Sequence, residues 1–182
     1  SLLGLLICSP LMAVVAVLIK LDSRGPVFFK QQRVGENGKV FELLKFRSMY
    51  HTAETKTGPI WAQKNDARVT RVGNLIRKIR LDEVPQFINV LLGDMSFVGP
   101  RPERPNFVEQ LTEVIPYYNQ RHTIKPGITG WAQIKFHYGN TIEDTLEKLQ
   151  YDLFYIKHMS ISLDLFIILQ TIKIVMQGRG AY

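Results

Sequence analysis

The run LLGLLICSPLMAVVAVLI, from Leu2 to Ile19, carries no charged side chain, and Lys20 closes it. A stretch so long and apolar either enters a bilayer or fills a buried core. As a straight helix it would span roughly 27 Å, slightly short of a hydrocarbon core of about 30 Å. Its middle also argues against a straight span. Pro10 has no N–H for the carbonyl of Leu6, at a cost of about 3 kcal/mol inside a helix, while the Ser9 hydroxyl can fold back onto a carbonyl one turn earlier. Three expectations follow: a kinked spanning helix, a helix that enters and returns on the same side, and a buried helix of a soluble core. Membrane insertion of some kind is the preferred one. A signal peptide fits less well, since the run has no basic lead-in and no small-residue cleavage site follows it.

The remainder of the 182 residues is enough for about one domain with a real core. A net charge of +7 suggests an anionic partner: nucleic acid, an anionic membrane or a phosphorylated small molecule. Cys8 is the one cysteine, which excludes an internal disulfide framework. His51, His122, His137 and His158 are scattered with no zinc-ligand spacing, so a His-based metal site is not expected.

Past the apolar run, Val27, Phe28 and Phe29 lead into an Asn37-Gly38 turn, and Val40, Phe41 and Leu43 lead out, the pattern of a β-hairpin. A phosphate loop is excluded there, because Arg33 stands where glycine is required and Val40, not Ser or Thr, follows Lys39. Residues 51–66 are polar and turn-rich, a loop. Val69, Val72, Leu75, Ile76 and Ile79 share a helical face, with Arg68, Arg71, Arg77, Lys78 and Arg80 mostly off it: either an ordinary solvated face or a surface for anionic lipid or phosphate.

The stretch RKIRLDEVPQFINVLLGD then sets Asp82 and Glu83 against Arg77, Lys78 and Arg80. Asp82 can be a helix N-cap, with Pro85 in the first turn, Val84, Phe87, Ile88 and Leu91 at helical spacing, and Gly93 as the stop. The pair can equally do chemistry. In GDMSFVGPRPERP, the prolines at 100, 102 and 105 hold Gly99, Arg101 and Arg104 extended, so an arginine there loses less freedom on forking onto a phosphate. A proline-stiffened surface loop explains the same residues. Two helices close the chain. Ile142, Leu146, Leu149, Leu153 and Ile156 form one stripe behind a Thr141 cap, and LDLFIILQTIKIVM is apolar over most of its circumference, suited to a core or a lipid interface. The expected fold is an α-rich α+β domain with a small β-hairpin.

In this order, the Ser9-Pro10 break, FKQQRVG, FELLKFRSM, LDEVPQFINVLLGDMSFVGPRPERP, KPGITGWAQI and YDLFYIKHMSISLDLFIILQTIKIV resemble the bacterial monotopic phosphoglycosyl transferases, also called bacterial sugar transferases. The resemblance covers nearly the whole chain. It implies a re-entrant membrane helix over 1–20, turned at Ser9 and Pro10, and amphipathic interfacial helices packed on a compact cytoplasmic, membrane-associated catalytic domain over 21–182. It also implies transfer of a sugar-1-phosphate from a UDP-sugar to polyprenyl phosphate at the cytoplasmic face of the bacterial inner membrane, with release of UMP. This would initiate exopolysaccharide or other glycoconjugate assembly. Asp82 takes the family's nucleophile role, through a covalent aspartyl phosphosugar, and Glu83 the role of Mg²⁺ ligand. Arg101 would hold substrate phosphate, and Lys45 and Arg77 match functional basic positions. A homo-oligomer is compatible with this reading. Family members usually carry a basic and aromatic lead-in before the apolar run, and the tail looks more like the large members with extra N-terminal membrane helices. The chain is therefore expected to be a catalytic portion.

The alternative is a non-catalytic, membrane-anchored basic module that binds anionic lipid or protein partners, which leaves the Asp-Glu and Pro-Arg-Pro motifs idle. A nucleic-acid binder is not expected, since no basic and aromatic recognition motif is present. The sequence does not select among UDP-glucose, UDP-galactose and UDP-N-acetylhexosamines.

Overall fold

The computed structural model describes residues 1–53, 66–136 and 141–178, so most of the expected loop at 51–66, and His137, lie outside the described residues. The apolar run forms α1 (Leu2–Asp22), one continuous helix with Pro10 inside it. The Ser9 hydroxyl donates to the carbonyl of Leu6 at 2.9 Å, the local repair expected where proline leaves that carbonyl unbonded. α1 is long and apolar enough to cross a membrane, with a mean hydropathy of 2.8, and only 11% of its most apolar window is buried inside the protein. Its two buried residues lie in its second half. Val15 and Ile19 pack with Phe46 and Ile76.

The hairpin is as expected: β1 (Phe28–Val34) pairs antiparallel with β2 (Val40–Phe46), Phe28 opposite Phe46 and Val34 opposite Val40. Asn37 and Gly38 supply the left-handed backbone at the turn, with φ of 54° and 76°. Just beyond β2, Arg47 folds under α1, donating to the carbonyls of Ser23 and Arg24 at 2.7 Å each and to Ile19 at 3.3 Å, a cationic cap on the carbonyl end of that helix.

α2 (Arg71–Lys78) is capped by Thr70, whose hydroxyl accepts from the Gly73 amide. Its apolar face splits: Ile76 is buried, whereas Leu75 and Ile79 are exposed. A Cβ at Gly73 would collide with the backbone carbonyl of Ser48, so only glycine lets α2 sit this close to the chain leaving β2.

α3 (Gln86–Leu92) departs from expectation in two ways. Asp82 is not its N-cap; the preceding residue is Pro85, no side chain caps the helix, and Asp82 lies within a separate 3₁₀ turn, Leu81–Glu83. The inward face of α3 is also polar, with Gln86 and Asn89 buried and Leu91 and Leu92 exposed. The reason is the free edge of β2. Asn89 accepts from the Leu44 amide at 3.0 Å and donates to the Glu42 carbonyl at 2.8 Å, completing the strand as a neighbouring strand would. Gly93 stops α3 in the left-handed conformation, φ 87°, as expected.

The second sheet, β3 (Ser96–Val98) parallel to β4 (Gly127–Thr129), has no hairpin signature in sequence, and neither does α4 (Pro105–Val114), which starts on the proline that follows extended Arg104. After α5 (Trp131–Lys135) come α6 (Ile142–His158), with a full capping box from Thr141 and Asp144, and α7 (Ile161–Met176), capped by Ser160. The buried line of α6 is Leu149, Asp152 and Tyr155; Ile142 and Leu146 of the expected stripe are exposed. Tyr155 donates to Asp164 at 2.7 Å, fixing α7 against α6, while Ile161, Leu165 and Leu169 of α7 face outward.

Candidate active site

Arg80 adopts a left-handed backbone, φ 58°, immediately before Leu81–Glu83. That conformation costs a non-glycine residue roughly 1 kcal/mol or more and persists only where surrounding contacts enforce it. Its effect is to reverse the chain sharply after α2, so that both acids turn inward: Asp82 is 7% exposed and Glu83 9%.

Around them the structure gathers charge from distant segments. Lys45 from β2 donates to Glu83 Oε1 at 2.9 Å, and Arg101 Nη2, from the stiff segment after β3, reaches the same oxygen at 2.6 Å. Arg80 stands 3.8 Å from it. Arg101 comes from the solvent side, its side chain 38% exposed, whereas Lys45 lies deeper at 19%. Arg77 donates to the Ser48 hydroxyl at 2.8 Å, and its charge acts on Asp82. Four expected polar residues, Asp82, Glu83, Lys45 and Arg101, thus form one cluster with Arg77 at its border. Ser9 and Pro10 stand apart on α1.

The two acids differ electrostatically. Burial raises the Asp82 carboxyl above its ordinary value and the charge of Glu83 adds to this, against weaker opposing pulls from Lys45, Arg77 and Arg80. Burial would raise Glu83 too, but Arg101, Lys45 and Arg80 outweigh it and hold that carboxyl well below the usual range. Lys45 is lowered, by burial first and by Arg101, with Glu83 opposing. Asp82 Oδ1 is buried without a hydrogen-bond partner, and so is Nε2 of Gln86, four residues on. A buried acceptor and a buried donor left unbonded cost stability, and such atoms concentrate where a ligand completes them.

Sequence reasoning missed three contributors. Arg80 read only as part of a basic run. Gln86 was hidden beside the proline. The third is a buried ion pair, Arg121 with Asp152, at 2.8 Å. Asp152 and Tyr155 fall off the apolar stripe expected for α6, and only the folded helix puts them on the buried line with Leu149.

The site thus sets a buried carboxylate with an unpartnered oxygen beside a second, cation-clamped carboxylate, on a chain whose first helix is long and apolar enough to cross a membrane. A family model described as Bacterial sugar transferase matches residues 1–178, and the chain belongs to that family. It is 51% identical over 173 residues to UDP-N-acetylgalactosamine-undecaprenyl-phosphate N-acetylgalactosaminephosphotransferase of Aeromonas hydrophila, covering 95% of this chain and 41% of that one. It is 46% identical over 182 residues to UDP-glucose:undecaprenyl-phosphate glucose-1-phosphate transferase of Escherichia coli strain K12, covering 98% and 39%. A shorter relative, exopolysaccharide production protein PSS of Rhizobium leguminosarum bv. phaseoli, is 42% identical over 186 residues, covering 99% and 93%. The chain spans about two fifths of the length of the first two relatives.

Proposed function

We propose that the protein transfers a sugar-1-phosphate from a UDP-sugar to undecaprenyl phosphate, with Asp82 as nucleophile. The observation that carries this reading is the buried Asp82 Oδ1, an acceptor without a donor beside a carboxylate whose Oε1 already meets Lys45 and Arg101. An Asp82 oxygen attacks the sugar-bearing phosphorus, the bond to the bridging oxygen breaks, and UMP leaves with that oxygen and its electron pair. A phosphate oxygen of undecaprenyl phosphate then attacks the same phosphorus, and the Asp82 oxygen departs as carboxylate. A covalent intermediate lets one site serve a soluble donor and a lipid-embedded acceptor in turn.

Arg101, on the solvent side of the cluster, is suited to enter with the donor's phosphates, and Lys45 and Arg77 add positive potential around the developing charge. The donor set also fits Mg²⁺, which takes one or two carboxylates and completes its shell with substrate phosphate. Asp82 Oδ1 and Glu83 Oε2 would hold it, since Lys45, Arg80 and Arg101 all converge on Glu83 Oε1. When bound, it would neutralise diphosphate charge and the leaving phosphate.

Residues 1–20 are read as a re-entrant helix turned at Ser9-Pro10, with the domain over 21–182 on the cytoplasmic face of the inner membrane. Exposed apolar side chains on α1 and around the two helices it packs against support contact with a bilayer: Leu3, Leu6 and Ile7; Leu75 and Ile79; Leu91 and Leu92. The pathway role in this reading is initiation of exopolysaccharide or another glycoconjugate, supported by the name of one relative, the exopolysaccharide production protein of Rhizobium leguminosarum bv. phaseoli. Incubation with a panel of labelled UDP-sugars and Mg²⁺, without lipid, tests the function. The expected result is UMP release and a labelled protein with one preferred sugar. Release with none of them would return the chain to a non-catalytic membrane-anchored module.

A further inference from the structure

Arg101 lies on a segment with unusual anchorage. Pro100 and Pro102 have no N–H to give, so the segment is held by its carbonyls, and four in succession are taken. The Pro100 carbonyl accepts from the Gly127 amide at 2.9 Å, and the Glu103 carbonyl from the Val34 amide at 2.9 Å. The two between are taken by side chains: Arg121 Nη2 donates to the Arg101 carbonyl at 2.8 Å, and Arg33 Nη1 to the Pro102 carbonyl at 2.9 Å.

Arg121 is buried, and each guanidinium nitrogen has a stated task. Nε donates to Asp152 Oδ2 at 3.0 Å, Nη1 to the Tyr118 hydroxyl at 2.8 Å, and Nη2 is shared between Asp152 and the Arg101 carbonyl. Asp152 is 2% exposed, on the inward line of α6. A buried ion pair is a poor source of net stability, because desolvation offsets most of the Coulomb attraction. What a guanidinium offers that an apolar side chain does not is a planar fork of fixed direction. Here the fork is oriented by Asp152 and Tyr118, and its remaining reach ends on the backbone of Arg101.

We propose that Arg121, oriented by Asp152, is a positioning residue that fixes the Arg101 backbone and thereby sets where the Arg101 guanidinium meets substrate phosphate. This rests on the reading that Arg101 binds that phosphate. A displacement of about 1 Å at such a group can cost up to about 100-fold in rate. Arg121→Lys keeps a cation for Asp152 and loses the fork, and Asp152→Asn loses the charge that orients it.

The test is a double-variant cycle read by UMP release, with thermal midpoints measured in parallel. Arg121→Lys should lower kcat about 10- to 100-fold in a folded protein. In an Arg101→Ala background the same change should add less than about twofold, because a positioning residue has nothing left to position. Leu149→Ala, which removes a buried α6 side chain without touching Arg121, measures what destabilisation alone does, and any loss it causes should multiply with Arg101→Ala. Should Arg121→Lys fail to fold, Asp152→Asn takes its place in the cycle. Multiplying losses for Arg121→Lys and Arg101→Ala, or an unchanged rate in Arg121→Lys beside a slow Arg101→Ala, overturn the positioning role and leave the phosphate role standing. An unchanged rate in Arg101→Ala overturns both.

Discussion

Asp82 and Glu83 are neighbours, both buried, and their carboxyls move in opposite directions. Their contributions to stability therefore have opposite signs. Asp82 is raised on folding, so the stability it contributes is present below its ordinary value of 3.8 and is lost as pH rises through the raised value. At neutral pH its ionised form is a net cost, so Asp82→Asn should raise the melting temperature there and gain nothing below 3.8. Glu83 is lowered, so its contribution is present above 4.5 and is lost as pH falls towards the lowered value. Glu83→Gln should destabilise the neutral protein by about 3 kcal/mol, because it leaves the Lys45 ammonium buried without its partner. Melting curves of both variants across pH check the pair of signs. In turnover, Arg101→Ala should lower kcat/KM by on the order of 100-fold if it stabilises transition-state charge, as UMP-release kinetics would read. The sequence offered Asp82 two roles, cap and nucleophile, and the structure removes the first. The capping motif failed because Arg80 takes a left-handed turn, a backbone choice no side-chain pattern announces.

Among the elements, those built from local contacts were legible. The hairpin announced itself through Asn37-Gly38, the end of α3 through Gly93, and the start of α6 through Thr141. The parallel pair of β3 and β4 was not, since its strands are short and the pairing is long-range. Only close backbone approach at Gly99 and Gly127, where a Cβ on either would meet the other strand, hints at it. The inward face of α3 was misread for a related reason: Asn89 is buried to serve β2, a partner elsewhere in the sequence. Asn89→Leu keeps volume but strands the Leu44 amide and the Glu42 carbonyl, and should destabilise the protein by about 2–4 kcal/mol in urea unfolding. A shift below about 0.5 kcal/mol would show that α3 does not hold β2, and with it Lys45, in place.

At the scale of the whole molecule, the second half of α1 is tied to the body through Val15, Ile19 and the Arg47 cap, while most of its first half is open to its surroundings. This division suits a helix that leaves the membrane on the side where the catalytic body sits. Cysteine-accessibility labelling in intact cells, with Cys8 removed, should find residues at both ends of 1–20 protected from periplasmic reagent. Labelling of the Leu2 end from the periplasm alone would make α1 a spanning helix. Replacing Ser9 and Pro10 by alanine should push it towards that state. The apolar run and the charged motifs were legible from the start; the convergence of Lys45, Arg101 and Arg80 on one Glu83 oxygen was not, because it depends on three distant segments folding together. The central claim is that this convergence serves a covalent step at Asp82. Its most direct test is mass mapping of the protein quenched after incubation with UDP-sugar and Mg²⁺, in the absence of lipid. The account predicts a sugar-phosphate adduct on the peptide carrying Asp82, discharged by added undecaprenyl phosphate and absent from a folded Asp82→Asn variant. An adduct on another residue, or full UMP release by Asp82→Asn, would contradict it.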